Sequence, residues 1–232
     1  MSTHAEFYAR VGTEARLLPR LTISLEEYAA FRATRQGPLD VLDVGCGEHA
    51  LLSRHIDPAD RYHGTDVKPQ LRVPIERYRA LDLNEGDLPG AWDGQRFDVV
   101  FCGEVIEHVF SPDRLLRQLA AVMKPGGLLL LTTPNLAYWI NRVLLPLGIS
   151  PLFIENSSEV QLGRRLKALG QERETQGHVR VFTTRAMLEL LARESFEVVR
   201  VRPYTVWNIP FDKAIARVSP NLAPGNVFVL RR

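Results

Sequence analysis

Only two cysteines, Cys46 and Cys102, occur among the 232 residues, and no C-x-x-C pair exists. That excludes a disulfide framework and removes the usual spacing of a structural zinc site. No uninterrupted apolar run approaches the length of a bilayer span. Residues 1–10 contain no apolar core of a secretory signal, so a reducing cytoplasm is the expected compartment. An excess of charge of one sign is missing too. The formal net charge of +2 is too small to argue for a nucleic-acid partner. There is no fixed-period repeat and no low-complexity segment. The chain has 45% hydrophobic and 24% charged residues, the mixture of an ordinary globular protein. Its length suits one sizeable core, so residues 1–232 are expected to form one domain.

Residues 1–36 read as two helices. The first covers 6–18 and ends before Pro19; the second starts at Ser24, where Ser24-Leu25-Glu26-Glu27 has the form of a capping box. From residue 39 the pattern becomes short apolar runs separated by helical stretches. Strands are expected at 39–44, 62–65, 78–81 and 97–101, the last continuous and apolar as a central parallel strand should be. Ser111 and Pro112 open a helix through Met123. Lys124-Pro125-Gly126-Gly127 is expected to stop it, before a strand at 128–132. Residues 134–181 break the rhythm and read as an insertion. A helix capped by Thr183 or Thr184 and strands near 196–202 and 227–230 complete an α/β pattern with right-handed crossovers.

The chemistry begins at Asp43-Val44-Gly45-Cys46-Gly47, where a strand turns into a helix. Glycines there allow a tight turn and let a ligand approach the backbone. Gly45-x-Gly47-x-x-Ala50 also fits the dinucleotide fingerprint, with Asp66 near the spacing of a ribose-binding acid, so an NAD enzyme is a genuine competitor. Two features of the residues oppose it. Asp43, directly before the glycines, would repel a pyrophosphate but suits a cationic ligand. The chain also leaves no second domain for a hydride acceptor.

The third feature is a resemblance. Val41-Leu42-Asp43-Val44-Gly45-Cys46-Gly47 resembles the first motif of class I S-adenosylmethionine-dependent methyltransferases. Gly64-Thr65-Asp66 resembles their second-strand motif and Ala80-Leu81-Asp82-Leu83 the third. Residues 97–101, then Glu104-Val105-Ile106-Glu107-His108-Val109 and 119–133, complete the series in order. The resemblance implies a Rossmann-like sheet of seven strands, mostly parallel, in the order 3-2-1-4-5-7-6. The seventh strand would be antiparallel, with helices on both faces. It implies S-adenosylmethionine held by Asp43, Gly45, Cys46 and Gly47, by Asp66 at the ribose, and by Asp82 and Leu83 at the adenine. Cys46 and Cys102 would line the cofactor wall as small fillers. One departure stands out: His49, after Glu48, occupies the position of the family's third loop glycine.

Glu104 and His108 are the candidate catalytic residues, since an imidazole titrating near neutrality suits proton removal from a hydroxyl. The run Glu104–His108 is similar to one in ubiquinone-biosynthesis O-methyltransferases and in small-RNA 2′-O-methyltransferases. In the metal-dependent members of the latter, a segment similar to Gly177-His178-Val179-Arg180-Val181-Phe182-Thr183 supplies a remote histidine. By that resemblance Glu104, Glu107, His108 and His178 would bind a divalent metal. If 104–108 is helical, positions i, i+3 and i+4 share one face. The alternative is that His108 acts without metal and His178 packs against the insertion.

The insertion should cover the acceptor site as a mobile lid, given its length and Gly148, Gly163, Gly170 and Gly177. Its apolar first part, within 137–154, fits a greasy acceptor or peripheral contact with a membrane, or else simple packing. Arg164-Arg165-Leu166-Lys167 reads as an anion contact or a solvated helix face. The leading expectation is O-methylation of a small-molecule hydroxyl: a phenol, a sugar or a lipid-like metabolite. An RNA 2′-O-methyltransferase, an NAD-dependent oxidoreductase and a non-catalytic nucleotide-binding protein are the alternatives.

Overall fold

A computed structural model describes residues 18–206, 209 and 211–232. Apart from Leu18, the helix expected over 6–18 lies outside them. The seven strands are β1 (Asp40–Val44), β2 (Arg61–Asp66), β3 (Tyr78–Ala80), β4 (Phe97–Gly103), β5 (Met123–Pro134), β6 (Glu197–Tyr204) and β7 (Gly225–Arg231). They form one sheet in the order β3-β2-β1-β4-β5-β7-β6. The first five strands pair in parallel. β7 runs antiparallel to both its neighbours. The helices are α1 (Pro19–Arg32), α2 (Leu88–Ala91), α3 (Pro112–Val122), α4 (Trp139–Leu144), α5 (Thr184–Arg193) and α6 (Asp212–Val218).

The central strands β1, β4, β5 and β7 are largely buried because both faces of the sheet are covered there, and alternate residues serve alternate faces. Leu42, Val44, Val100, Leu129, Leu131, Phe228 and Leu230 pack with Leu115, Leu116 and Leu119 of α3 and with Met187 and Leu191 of α5. Their neighbours in sequence, Val41, Val99, Phe101, Leu128, Leu130, Val227 and Val229, pack with Tyr28 and Phe31 of α1. Ser111 caps α3 by accepting from the Arg114 N–H, and Thr183 caps α5 by accepting from the Ala186 N–H.

Two expected boundaries are corrected. α1 starts at Pro19, whose fixed φ suits a first helical position, and not at Ser24. Ser24 and Glu27 are buried in its interior turns, where Glu27 meets Arg202 at 3.0 Å and Arg200 at 3.5 Å on β6. Lys124–Gly127 does not interrupt the chain before β5; the strand already begins at Met123. Gly127 is needed there, since a Cβ would lie 2.8 Å from the Lys124 carbonyl and 3.2 Å from that of Asp98.

The sheet's topology sets the site. Parallel strands that reverse their order between β1 and β4 leave a crevice at their carboxyl ends, where the loops after β1, β2, β3, β4 and β5 converge.

Candidate active site

The loop after β1 is tied to β2 by two bonds, from the N–H groups of Gly45 (2.8 Å) and Cys46 (3.1 Å) to the Thr65 carbonyl. Gly45 and Gly47 have φ of +75° and +68°, conformations open to glycine. A Cβ on Gly45 would run into Val105 Cγ2, whereas the space around Gly47 is open. The open side is where a ligand can approach the backbone. Asp66, at the end of β2, accepts from the Gly47 N–H at 2.9 Å and the Lys68 N–H at 3.1 Å, so it already orders the loop.

Asp43 is buried at 4% exposure and accepts from the Tyr62 hydroxyl at 2.6 Å. Burial pushes its carboxyl up to about 7, the Tyr62 bond opposes this, and the charge of Asp66 adds to it. A buried acid held this high accommodates a ligand ammonium group well and a pyrophosphate poorly. Together with the open glycine, this donor set fits S-adenosylmethionine.

His49 sits half-buried in the turn between Gly47 and Ala50, so it is not a freely solvated side chain. Its neighbour Glu48 pairs with Arg72 at 2.9 Å and Lys68 at 3.6 Å. Cys46 is half-buried beside Gly64, and burial raises its thiol. Cys102 is wholly buried among Val44, Leu131 and the rest of the core. It supports the crevice from beneath and offers no surface to a ligand, which corrects its expected place on the cofactor wall.

Beyond β3, Asp82 is exposed and accepts from the Asn84 N–H at 2.8 Å, while Leu83 packs against the core. Arg114 of α3 secures this turn by donating to the carbonyls of Leu83, Asn84, Glu85 and Gly86 at 2.6–3.5 Å. Nothing in the local sequence pointed to that clamp.

The loop after β4 is not one α-helical turn. Glu104 has φ +56°, and a 3-10 turn begins only at Ile106. Glu104 therefore leaves the face shared by Glu107 and His108. Its Oε1 accepts from the hydroxyls of Thr132 (2.8 Å) and Tyr204 (2.9 Å), which ties the loop to β5 and β6. Glu107 is 1% exposed; Oε2 accepts from the Thr133 hydroxyl at 3.1 Å, and Oε1 has no hydrogen-bond partner among the described residues. Burial, reinforced by Glu104, holds its carboxyl well above the usual range.

His108 is half-buried, and its Nδ1 lies 3.0 Å from the carbonyl of Gly177. Because a carbonyl only accepts, Nδ1 carries the proton and Nε2 the lone pair. Burial lowers the imidazole pKa, the Gly177 bond opposes this, and the charge of His178 adds to the lowering. The lowering favours the neutral ring, which is the form able to take a proton. His178 lies beside it, with ring centroids 5.0 Å apart. Among the described residues, Glu107, His108 and His178 each offer a ligand atom within 4.8 Å of the others; Glu104 does not join them. The expected four-residue metal set is thus reduced to three.

The insertion brings His178 here. It carries a small core of its own around Tyr138, Leu144 and Leu152. At its start the Tyr138 hydroxyl and the Trp139 indole both donate to Asp212 Oδ1 at 2.9 Å. At its end the N–H groups of Val179 (2.9 Å) and Arg180 (3.0 Å) donate to the Glu107 carbonyl. Gly148, Gly163, Gly170 and Gly177 all have positive φ. Arg164 is 7% exposed and donates to the carbonyls of Leu169 and Ile154, so it is an internal strut and not an anion contact. No helix among the described residues is long and apolar enough to cross a membrane.

A family model described as a methyltransferase domain matches residues 15–201. A ubiquinone biosynthesis O-methyltransferase of Coxiella burnetii is 35% identical over 102 residues, which is 41% of this chain and 43% of that protein. The corresponding Xanthomonas campestris protein is 34% identical over 118 residues, 47% of this chain and 48% of its own. The match therefore spans less than half the length of these relatives. The fold is shared with an S-adenosylmethionine-dependent methyltransferase from Clostridium acetobutylicum at a TM-score of 0.61 and 12% identity, covering 98% of this chain and 96% of the other.

Proposed function

Because the chain belongs to the methyltransferase-domain family, we propose that it moves the methyl group of S-adenosylmethionine to a hydroxyl oxygen of a small molecule. The observation that carries the oxygen is His108, whose Nδ1 donates to the Gly177 carbonyl and so leaves Nε2 as the nitrogen to take a proton. The names of the matching relatives, O-methyltransferases, agree with it.

A sulfonium already places the methyl on a good leaving group, so the protein's task is alignment and proton removal. Asp43 receives the ligand's ammonium end, Asp66 its ribose hydroxyls, and Asp82 with Leu83 its adenine. His108 Nε2 takes the acceptor's O–H proton as the oxygen–carbon bond forms and the carbon–sulfur bond breaks. Glu104 holds the loop through Thr132 and Tyr204. Screening phenols, sugars and lipid-like alcohols with radiolabelled methyl donor tests the class. His108→Ala should lower kcat by about 10²–10⁴-fold with S-adenosylhomocysteine affinity unchanged. A methylated nitrogen or carbon in the product would overturn the oxygen assignment.

A second reading adds a divalent metal, favoured by Glu107 Oε1, which has no hydrogen-bond partner among the described residues and lies beside two imidazoles. One carboxylate with two imidazoles suits manganese, zinc or iron better than magnesium. Glu107, His108 and His178 would hold it, and the ion would acidify and orient the acceptor hydroxyl. Equilibrium dialysis against Mn²⁺ and Zn²⁺, with His178→Ala as comparison, tests it. Equal uptake by both proteins would remove the site.

The acceptor is greasy in this reading. Phe110 (65% exposed) and Val179 (48%) flank the two histidines in sequence, and Val143, Leu145 and Leu147 are exposed on the insertion. Peripheral membrane contact through 137–154 belongs to the same reading, and sedimentation with lipid vesicles checks it.

A further inference from the structure

Glu155 has no part in the sequence motifs, yet among the described residues it accepts more hydrogen bonds than any other carboxylate beside the candidate site. Three successive backbone N–H groups donate to it, from Gln176 (2.6 Å), Gly177 (2.8 Å) and His178 (3.0 Å). The Gln161 side-chain amide adds a fourth donor at 2.9 Å. Successive N–H groups that curl around one point form an anion-binding nest. The curl turns at Gly177, where φ is +83°. Here the anion is a side chain of the same protein.

The nest connects directly to both imidazoles. The peptide that begins with the Gly177 carbonyl accepts from His108 Nδ1 at 3.0 Å. The Phe153 carbonyl, two residues before Glu155, accepts from His178 Nδ1 at 2.9 Å. One carboxylate thus binds the strand of backbone that orients His108 to the turn of backbone that orients His178. In both rings Nδ1 is the donor, so the neutral form of each is the Nδ1–H tautomer.

We propose that Glu155 is a positioning residue that sets the tautomer and direction of His108 and His178 by filling the 176–178 nest. Two bonds from Val179 and Arg180 to the Glu107 carbonyl also hold this segment, but they lie after the nest and do not fix the Gly177 peptide plane. A glutamine at 155 keeps the size and fails chemically, because its NH₂ group faces N–H donors and only one oxygen remains to accept.

The consequence for catalysis rests on His108 as the base. The clamp itself is read without turnover, from the ring nitrogens in ¹⁵N spectra of the full chain. His108→Ala and His178→Ala assign the two rings. In the wild type both should show the Nδ1–H tautomer. In Glu155→Gln and Glu155→Ala both should become tautomer mixtures.

His63 is an internal control. Its Nδ1 is held by the carbonyls of Val41 and Arg61, far from the nest in the chain, and it should not change. S-Adenosylhomocysteine affinity should stay within about twofold, while methyl transfer falls about 10–100-fold, as for other supporting residues. Wild-type ring signals for His108 and His178 in both variants, or an equal disturbance of His63, would overturn the proposal. Methyl transfer retained by His108→Ala would remove the base assignment and leave the ring spectra to judge the clamp.

Discussion

Gly45 and Val105 meet so closely that a Cβ on the glycine would overlap Val105 Cγ2. The first loop of the sheet is therefore packed onto the loop that carries His108, and the two cannot be altered independently. Gly45→Ala adds overpacking to a strained φ and should cost about 2–4 kcal/mol. Gly47→Ala, at φ +68° but in open space, should cost only the backbone strain, about 1–2 kcal/mol. Thermal melts give the ranking. Equal losses would mean that Val105 yields and that the loops are not coupled.

Asp66 should be the residue whose loss most directly weakens the methyl donor. Its carboxylate now takes the Gly47 and Lys68 N–H groups and stands at the end of β2, where ribose hydroxyls would reach it. Asp66→Ala should weaken S-adenosylhomocysteine by about 1.5–3 kcal/mol, or roughly 10–150-fold, measured by calorimetry. Binding as tight as the wild type would refute the ribose assignment.

Asp43 predicts a pH dependence. Its folded pKa of about 7 lies above the ordinary aspartate value of 3.8, so the folded state holds the proton more tightly. Stability from this group is full below about pH 4 and is lost as pH rises towards 7; the maximum loss is about 4 kcal/mol. Asp43→Asn keeps the Tyr62 bond and removes the charge, so it should stabilise the ligand-free protein at pH 8 and change little at pH 4. The same variant should bind S-adenosylhomocysteine more weakly at pH 8. In the wild type, binding should release a proton near pH 7, seen as buffer-dependent calorimetric enthalpy. No proton release would place the ligand's ammonium group away from Asp43.

The sheet was readable because apolar alternation and parallel burial leave uniform runs such as Phe97–Phe101, and because Pro112 and Thr183 mark helix starts by local chemistry. Ser24 misled since its capping box is sequence-local, while the true start depends on Pro19 and on which face of α1 meets β6. The glycine loop, Asp66 and His108 were legible as motifs. Their supports were not. Tyr62, Arg114, Glu155, Tyr204 and Asp212 act through partners distant in the chain, and no local pattern records such pairings. Glu104 leaves the metal face for a related reason: its φ is +56° and its carboxylate bonds to Thr132 and Tyr204, partners that the local run of residues does not contain.

The insertion should behave as a lid hinged between two fixed ends. Its start is held by Tyr138 and Trp139 on Asp212, and its end by 177–180 on the loop of His108. Between them Gly148, Gly163 and Gly170 turn the chain at positive φ, and few strand or helix bonds restrain it. Motion belongs to the part after 155, because Glu155 ties its own turn to 176–178. Hydrogen exchange should show 138–141 and 177–180 protected without ligand. Residues 157–172 should exchange quickly and slow down when S-adenosylhomocysteine or acceptor binds. Asp212→Ala removes the oxygen that accepts from both the Tyr138 hydroxyl and the Trp139 indole and should cost about 2–4 kcal/mol. It should also raise exchange across 137–144 while the sheet stays protected. If exchange in 157–172 is the same with and without ligand, the insertion is a fixed wall, and access to the crevice must come from elsewhere.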